Sequence, residues 1–364
     1  MSELRIIAEA GVNHDGDVKK ALALVDTALT AKADYIKFQL FDPGQLTSAQ
    51  APLAPYQQAY GAEKGTYGHG QQEMLRALSL TRDEVLEVKA YCDSLGIAFT
   101  ATPFDLGNLA FLDRELDPPF IKIGSGDLTN APLLHAAART GREVILSTGM
   151  GMPDEVALAL GVLAHGYLTS EIPAAATDFK ALRATADAQQ ILFEKVTLLH
   201  CTTAYPTPMA EVNLRALETL RDQFGLPVGY SDHTLGADAA VAAVALGARV
   251  IEKHFTLDKG AAGPDHSASL EPVELTDFVE RLHAMVRAMG TGEKKPSVGE
   301  LENVTAARRS LVAATSIKPG DVFTEENLTV KRPSGGLSPA LYWHILGRKA
   351  TKLYLPDQMI EENI

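Results

Sequence analysis

Apolar residues along this chain follow two alternating rhythms. Eight short runs have apolar side chains at every second position or throughout, as strands do: RIIAEAG (5–11), YIKFQ (35–39), AFTATPF (98–104), FIKIGSG (120–126), EVILSTGM (143–150), VTLLHCTTAYP (196–206), PVGYSD (227–232) and VIEKHFT (250–256). Between them, apolar residues recur at three- and four-residue spacing in DVKKALALVDTALTAKA, TRDEVLEVKAYCDSLG and NLRALETLRDQFG, and again after the last run in ELTDFVERLHAMVRAM. That spacing predicts amphipathic helices.

Strands alternating with helices predict a parallel sheet, and a count of eight favours a closed (β/α)8 TIM barrel. An open doubly wound sheet would want a G-x-G-x-x-G turn after the first strand, and AEAGVNHDGD has none. The rhythm stops near residue 290. Residues 291–303 (TGEKKPSVGELEN) are charged and punctuated by Pro and Gly, and read as a linker. Residues 304–364 hold short β-like pieces and one-turn segments. A unit of about sixty residues buries a modest core, so it is expected to lean on another surface.

Parity along the strands assigns faces. Lys37 and Gln39 oppose Ile36 and Phe38, Lys122 opposes Ile121 and Ile123, and Glu9 opposes Ala8 and Ala10. With the apolar faces against the helices, Glu9, Lys37, Gln39 and Lys122 point into the barrel. A buried ammonium needs an anion or a carboxylate beside it, so two lysines with a glutamate near strand ends favour a functional site over a purely structural pair.

Hydroxyls and glycines gather at the same ends: Thr102, Ser125, the Ser147-Thr148-Gly149 turn, and Ser231. Backbone amides, small hydroxyls and lysines suit a phosphate group. His233 and His254 close strands seven and eight, and two imidazoles on neighbouring strand ends suit a divalent metal with open positions left for catalysis. His200 is expected to line the pocket, and Asp15 to be a solvated turn residue.

The formal net charge of −13 argues against nucleic acid or an anionic membrane as partner. The two cysteines, Cys92 and Cys201, form no CxxC, and MSELRIIAEAG carries no signal-peptide pattern. A cytoplasmic protein is the expectation, and no apolar run is long enough for a membrane span.

The stretches AEAGVNHDGD, IKFQ, TPFD, IKIGSGDLTN, STGM, LHCTTAYPTP, GYSDHTLG, EKHF and GPDHSASLEP, in this order, resemble the sialic acid synthase family. The tail VKRPSGG, followed by LGRKA, resembles the small antifreeze-like (SAF) domain of those enzymes. The resemblance implies condensation of phosphoenolpyruvate with an N-acylated hexosamine, a divalent metal (Mn2+ first, Mg2+ or Co2+ as alternatives) and a domain-swapped homodimer. It implies His233 and His254 as metal ligands, with Lys37, Thr102, Lys122, Ser125 and Ser231 on phosphoenolpyruvate. Gln39, Asp127 and Thr203 join the substrate contacts; Tyr205 and Asp265 touch the sugar; Arg332 reaches the N-acyl end from the partner's small domain. Glu9 is the carboxylate expected to position water.

Thr203 stands where some relatives have Asn and Ala204 where others have Glu, and the segment between strands five and six is longer than usual. N-acetylmannosamine, giving N-acetylneuraminate, is the expected sugar. A 2,4-diacetamido-6-deoxy-mannose, giving legionaminate, is the alternative, with pseudaminate more remote. Competing readings are a Schiff-base aldolase using Lys122 and a non-enzymatic sugar- or ice-binding protein. Synthases of 3-deoxy-ulosonates would share the barrel chemistry without explaining the VKRP tail.

Overall fold

The computed structural model describes residues 4–48, 50–52 and 70–361. The chain divides into two compact units, residues 1–290 and 291–364.

In the first unit, strands β1 (Arg5–Gly11), β2 (Tyr35–Leu40), β3 (Ala98–Pro103), β4 (Phe120–Ile123), β5 (Glu143–Ser147), β6 (Val196–Cys201), β7 (Val228–Asp232) and β8 (Val250–His254) form one sheet in the order 3-2-1-8-7-6-5-4. Every ladder pairing in it is parallel. Strands β3 and β4 share no ladder pair; there the Thr100 hydroxyl donates to the Phe120 carbonyl at 3.1 Å and bridges the seam. The expected barrel is therefore present.

Local chemistry sets the helix boundaries. Asp17 caps α1 (Val18–Thr30), and Thr81 with Glu84 forms a capping box on α2 (Arg82–Leu95), which ends on left-handed Gly96 at φ 77°. Outward strand residues such as Ile36, Phe99, Ile121, Leu146 and Ile251 join helix residues Leu24, Val88, Leu134, Leu163 and Leu282 in the main core. Inside the barrel, Ile7, Phe120, Ile145, Leu199 and Val250 form a separate apolar layer, with half-buried Tyr35 against it. Near the strand starts, the Arg5 guanidinium grips Glu143 through 2.7 and 2.6 Å hydrogen bonds. These two layers fill the lower barrel and leave its upper end for polar groups.

The long segment after β5 continues from α3 (Pro153–Leu168) into a short helix, Phe179–Arg183, and α4 (Ala186–Lys195). A Cβ at Gly161 would meet the Phe179 carbonyl at 2.3 Å, so glycine there permits close packing against α3.

The second unit pairs β9 (Ser310–Ala313) with β10 (Leu328–Lys331) antiparallel. Its core includes Leu311, Ile317, Phe323, Tyr354 and Ile360. Within 291–303, read above as linker, a helix begins at Val298 and runs to Ala307, started by a Ser297/Glu300 capping box. The Pro and Gly residues of that stretch hide a local helix start. Among the described residues no helix is long and apolar enough to cross a membrane.

Candidate functional site

The upper ends of the strands enclose a cavity of about 480 Å³ lined by Glu9, Lys37, Gln39, Thr102, Lys122, Ser125, Ser147, Cys201, Thr203, Tyr205, Ser231, His233, Glu252, His254 and Asp265, among others. Register explains the convergence. Glu9 pairs with Lys37 on one side and His254 on the other, and Lys37 pairs with Thr100. Residues two apart on each strand then repeat the same face.

The cavity floor is a buried ionic cluster. Lys37 Nζ lies 2.7 Å from Glu9 Oε2 and 3.8 Å from Glu252 Oε2, and donates to Thr102 Oγ1 at 2.9 Å. Lys122 Nζ lies 3.4 Å from Glu252 Oε1, and all four charged side chains are at most 5% exposed. Burial opposes the charge on Glu252, but the ammoniums of Lys122 and Lys37 outweigh it and hold that carboxyl below the usual range. Burial, reinforced by Glu252, raises the Glu9 carboxyl despite Lys37 beside it. Burial also opposes the charge on Lys37, where the two carboxylates win, and on Lys122, where they do not. The two glutamates are thus driven apart, one firmly anionic and one shifted toward the neutral form.

The imidazoles sit above this floor, their ring centroids 5.6 Å apart, with the Tyr205 ring 4.2 Å from His233 and 5.9 Å from His254. His233 Nδ1 donates to the Thr202 carbonyl at 2.7 Å, which leaves Nε2 as the ring's lone pair. Burial lowers the His233 pKa to about 4 and holds His254 well below its ordinary value, so both rings are neutral at pH 7. His254 Nδ1 is buried without a hydrogen-bond partner among the described residues, 3.8 Å from Asp265 Oδ2. Burial lifts Asp265 to about 6. Two neutral imidazoles, one fixed in tautomer and one carrying a buried nitrogen without a hydrogen bond, fit a divalent ion. Among the described residues, no three His, Cys, Asp or Glu side chains converge as a metal-binding group.

A cradle of small groups occupies the β5–β6 side. Gly149 N donates to Ser125 Oγ at 3.0 Å, and Ser125 Oγ lies 3.0 Å from Cys201 Sγ. A Cβ on Gly149 would sit 2.7 Å from Thr203 Oγ1 and 2.8 Å from Ser125 Oγ, so glycine is needed there.

Several expectations need correcting. Asp127 does not line the cavity: the chain turns through Ser125–Asp127 and directs its carboxylate to Asn130 Nδ2 at 2.9 Å. His200 donates to the Val212 carbonyl at 2.7 Å, stacks on Tyr230 and lines a neighbouring cavity instead. Asp15 is not a solvated turn residue, since its Oδ1 lies 2.9 Å from His266 Nε2 and its Oδ2 2.6 Å from Lys20. Arg332 lies exposed in the second unit. Sequence reading assigned no role to Glu252, although parity places it on the same strand face as His254.

The model of the NeuB family matches residues 24–294, and that of the SAF domain residues 308–362. The chain is 44% identical to N,N'-diacetyllegionaminic acid synthase of Campylobacter jejuni, with both chains covered completely. It is 34% identical to human N-acetylneuraminate-9-phosphate synthase, over 99% of this chain and 92% of that one. Among solved structures, N-acetylneuraminic acid synthetase from Leptospira borgpetersenii in complex with citrate superposes with a TM-score of 0.63 at 33% identity, covering 83% of this chain and 90% of that one. The chain belongs to the NeuB family, and its second unit is a SAF domain.

Proposed function

We propose that this enzyme condenses phosphoenolpyruvate with the open-chain form of a 2,4-diacetamido-6-deoxy-mannose, giving an N,N'-diacetyllegionaminate-type acid and phosphate. N-acetylmannosamine was the first expectation from sequence. The 44% identity to a legionaminic acid synthase, against 34% to the human N-acetylneuraminate-9-phosphate enzyme, reverses that order.

The observation that carries the reading is the pair of buried lysines beneath two neutral imidazoles. Lys37 and Lys122 supply cations for the phosphate and carboxylate of phosphoenolpyruvate, with the Thr102 and Ser125 hydroxyls, which accept from Lys37 and the Gly149 amide, as uncharged donors. Gln39 and Thr203 complete that wall. Tyr205 and Asp265 stand on the imidazole side, where the sugar would lie. A divalent ion held by His233 and His254, Mn2+ first, would polarise the sugar aldehyde as a Lewis acid.

Carbon 3 of the enol phosphate attacks the aldehyde carbon, whose oxygen takes a proton from solvent and becomes a hydroxyl, and cationic character develops at carbon 2. Glu9 in its anionic form holds the water that adds there, takes its proton and returns it to solvent, its raised pKa making it a stronger base than an ordinary carboxylate. Breakdown of the resulting tetrahedral centre cleaves the carbon–oxygen bond, and the lysines receive the departing phosphate. Arg332 would complete the acyl end of the site from a partner copy in a homodimer, a reading that follows the family resemblance.

A panel of acylated hexosamines assayed for phosphate release tests the proposal. Release should be fastest with the 2,4-diacetamido sugar; preference for N-acetylmannosamine would restore the first expectation. Run in 18O-water, the reaction should leave the label in the sugar acid. Label in the phosphate would refute carbon–oxygen cleavage.

A further inference from the structure

Each histidine of the site is preceded by a charged residue, Asp232 before His233 and Lys253 before His254. Strand alternation turns these two outward, away from the cavity. They meet on the far side of the barrel wall: Lys253 Nζ donates to Asp232 Oδ2 at 3.0 Å, with the side chains 1% and 0% exposed. Lys253 also donates to the Thr234 carbonyl. The other oxygen of Asp232 accepts from the Thr234 amide at 2.8 Å and its hydroxyl at 2.7 Å. The turn that follows His233 is therefore tied directly to β8.

The ladder shows why such a tie matters. Pairing between β7 and β8 runs Tyr230–Ile251, Ser231–Glu252, Asp232–Lys253 and ends there. His254 is still held by β1, opposite Glu9. His233 lies one residue beyond the last pair with β8, and its backbone carbonyl accepts from the Thr207 amide at 2.8 Å. At the level of the imidazoles, the ion pair takes over from a strand ladder that has run out.

We infer that Asp232 and Lys253 are positioning residues that fix the separation of the two imidazoles, and so set the affinity of the site for a divalent ion. The inference rests on the reading of His233 and His254 as metal ligands. Fully desolvated pairs are weak contributors to stability, because replacing both partners with neutral groups is often tolerated. A conformational role is the better explanation of this one.

The test uses the full-length protein and Mn2+ alone, its affinity measured by competition with a fluorescent chelator. The double variant D232N/K253M removes both charges, while the side-chain carbonyl introduced by D232N can still accept from Thr234. It should remain folded in a thermal melt and bind phosphoenolpyruvate without metal within about twofold of wild type, yet lose about 10–100-fold in Mn2+ affinity, the usual range for residues that orient metal ligands. Unchanged Mn2+ affinity in the folded variant overturns the inference. Should the double variant not fold, D232N alone serves, with a several-fold loss expected and no loss overturning the inference. His233→Ala/His254→Ala is the control: if it binds Mn2+ as wild type does, the metal reading fails and takes the inference with it. If the control loses Mn2+ and D232N/K253M does not, only the inference fails.

Discussion

The Ser231 hydroxyl donates to Glu252 Oε1 at 3.0 Å, across the last ladder pairs of β7 and β8. That bond commits the hydroxyl proton to the carboxylate, so Ser231, 3.5 Å from His233 Nε2, leaves the imidazole lone pair free. Glu252 is thereby tied to both lysines of the floor and to the histidine wall at once.

Glu252→Gln should leave Lys122 without its carboxylate and Lys37 with only Glu9. Removing one partner from a buried ionic cluster costs about 3–5 kcal/mol. An anion entering the cavity would replace the missing charge. Phosphoenolpyruvate should therefore raise the melting temperature of the variant more than that of wild type. Equal shifts in thermal melts would refute this account of the floor.

Glu9→Gln should lower kcat by about 10²–10⁴-fold, the usual scale for a lost general base, while phosphoenolpyruvate still binds. Steady-state kinetics beside direct titration separates the two. Activity near wild type would remove Glu9 from the mechanism.

His14 predicts an acid-sensitive fold. Its Nδ1 accepts from the Gly16 amide at 3.1 Å, which requires that nitrogen unprotonated, and burial lowers its pKa to about 4. In the unfolded chain the ring titrates at about 6.5. Between those values the unfolded state binds the extra proton, so stability falls as pH drops through this window, by about 3 kcal/mol in full. His14→Asn keeps an acceptor for Gly16 and cannot titrate there. Its stability profile from denaturant melts should be flatter between pH 6.5 and 4 than that of wild type; parallel profiles would exclude His14 as the cause.

Gly229→Ala should destabilise without touching the cavity. The added Cβ would lie 2.4 Å from the Val250 carbonyl and 2.6 Å from Leu199 Cδ2, in the apolar layer. Backbone cannot yield cheaply, so a loss of about 1–3 kcal/mol is expected in denaturant melts. A melt unchanged from wild type would contradict the packing described.

Removal of divalent ions by a chelator should abolish turnover and added Mn2+ restore it. Persistence of activity, together with borohydride trapping of pyruvate on Lys122, would instead favour the Schiff-base reading.

The barrel was legible because eight strand runs and their helices obey simple periods, and Lys37 and Lys122 because charge on an otherwise apolar strand is conspicuous. Glu252 is equally readable by parity, but within EKHF the histidine is the more distinctive ligand type. Asp127 and Asp15 were not readable. Their side chains are directed by turn geometry, and no residue count specifies whether a loop carboxylate meets Asn130, His266 or solvent. The helix at Val298 was obscured because Pro and Gly nearby mimic a linker, while its start depends on a single Ser297–Glu300 exchange.

The apolar layer of Ile7, Phe120, Ile145, Leu199 and Val250 acts as a stopper beneath the ionic floor. With that end shut, the cavity opens at the upper ends of the strands, and on the proposed reading an enol phosphate at the lysines would lie deeper than a sugar at the imidazoles. Steady-state kinetics should then be sequential and ordered, with inhibition patterns that name phosphoenolpyruvate as the first arrival.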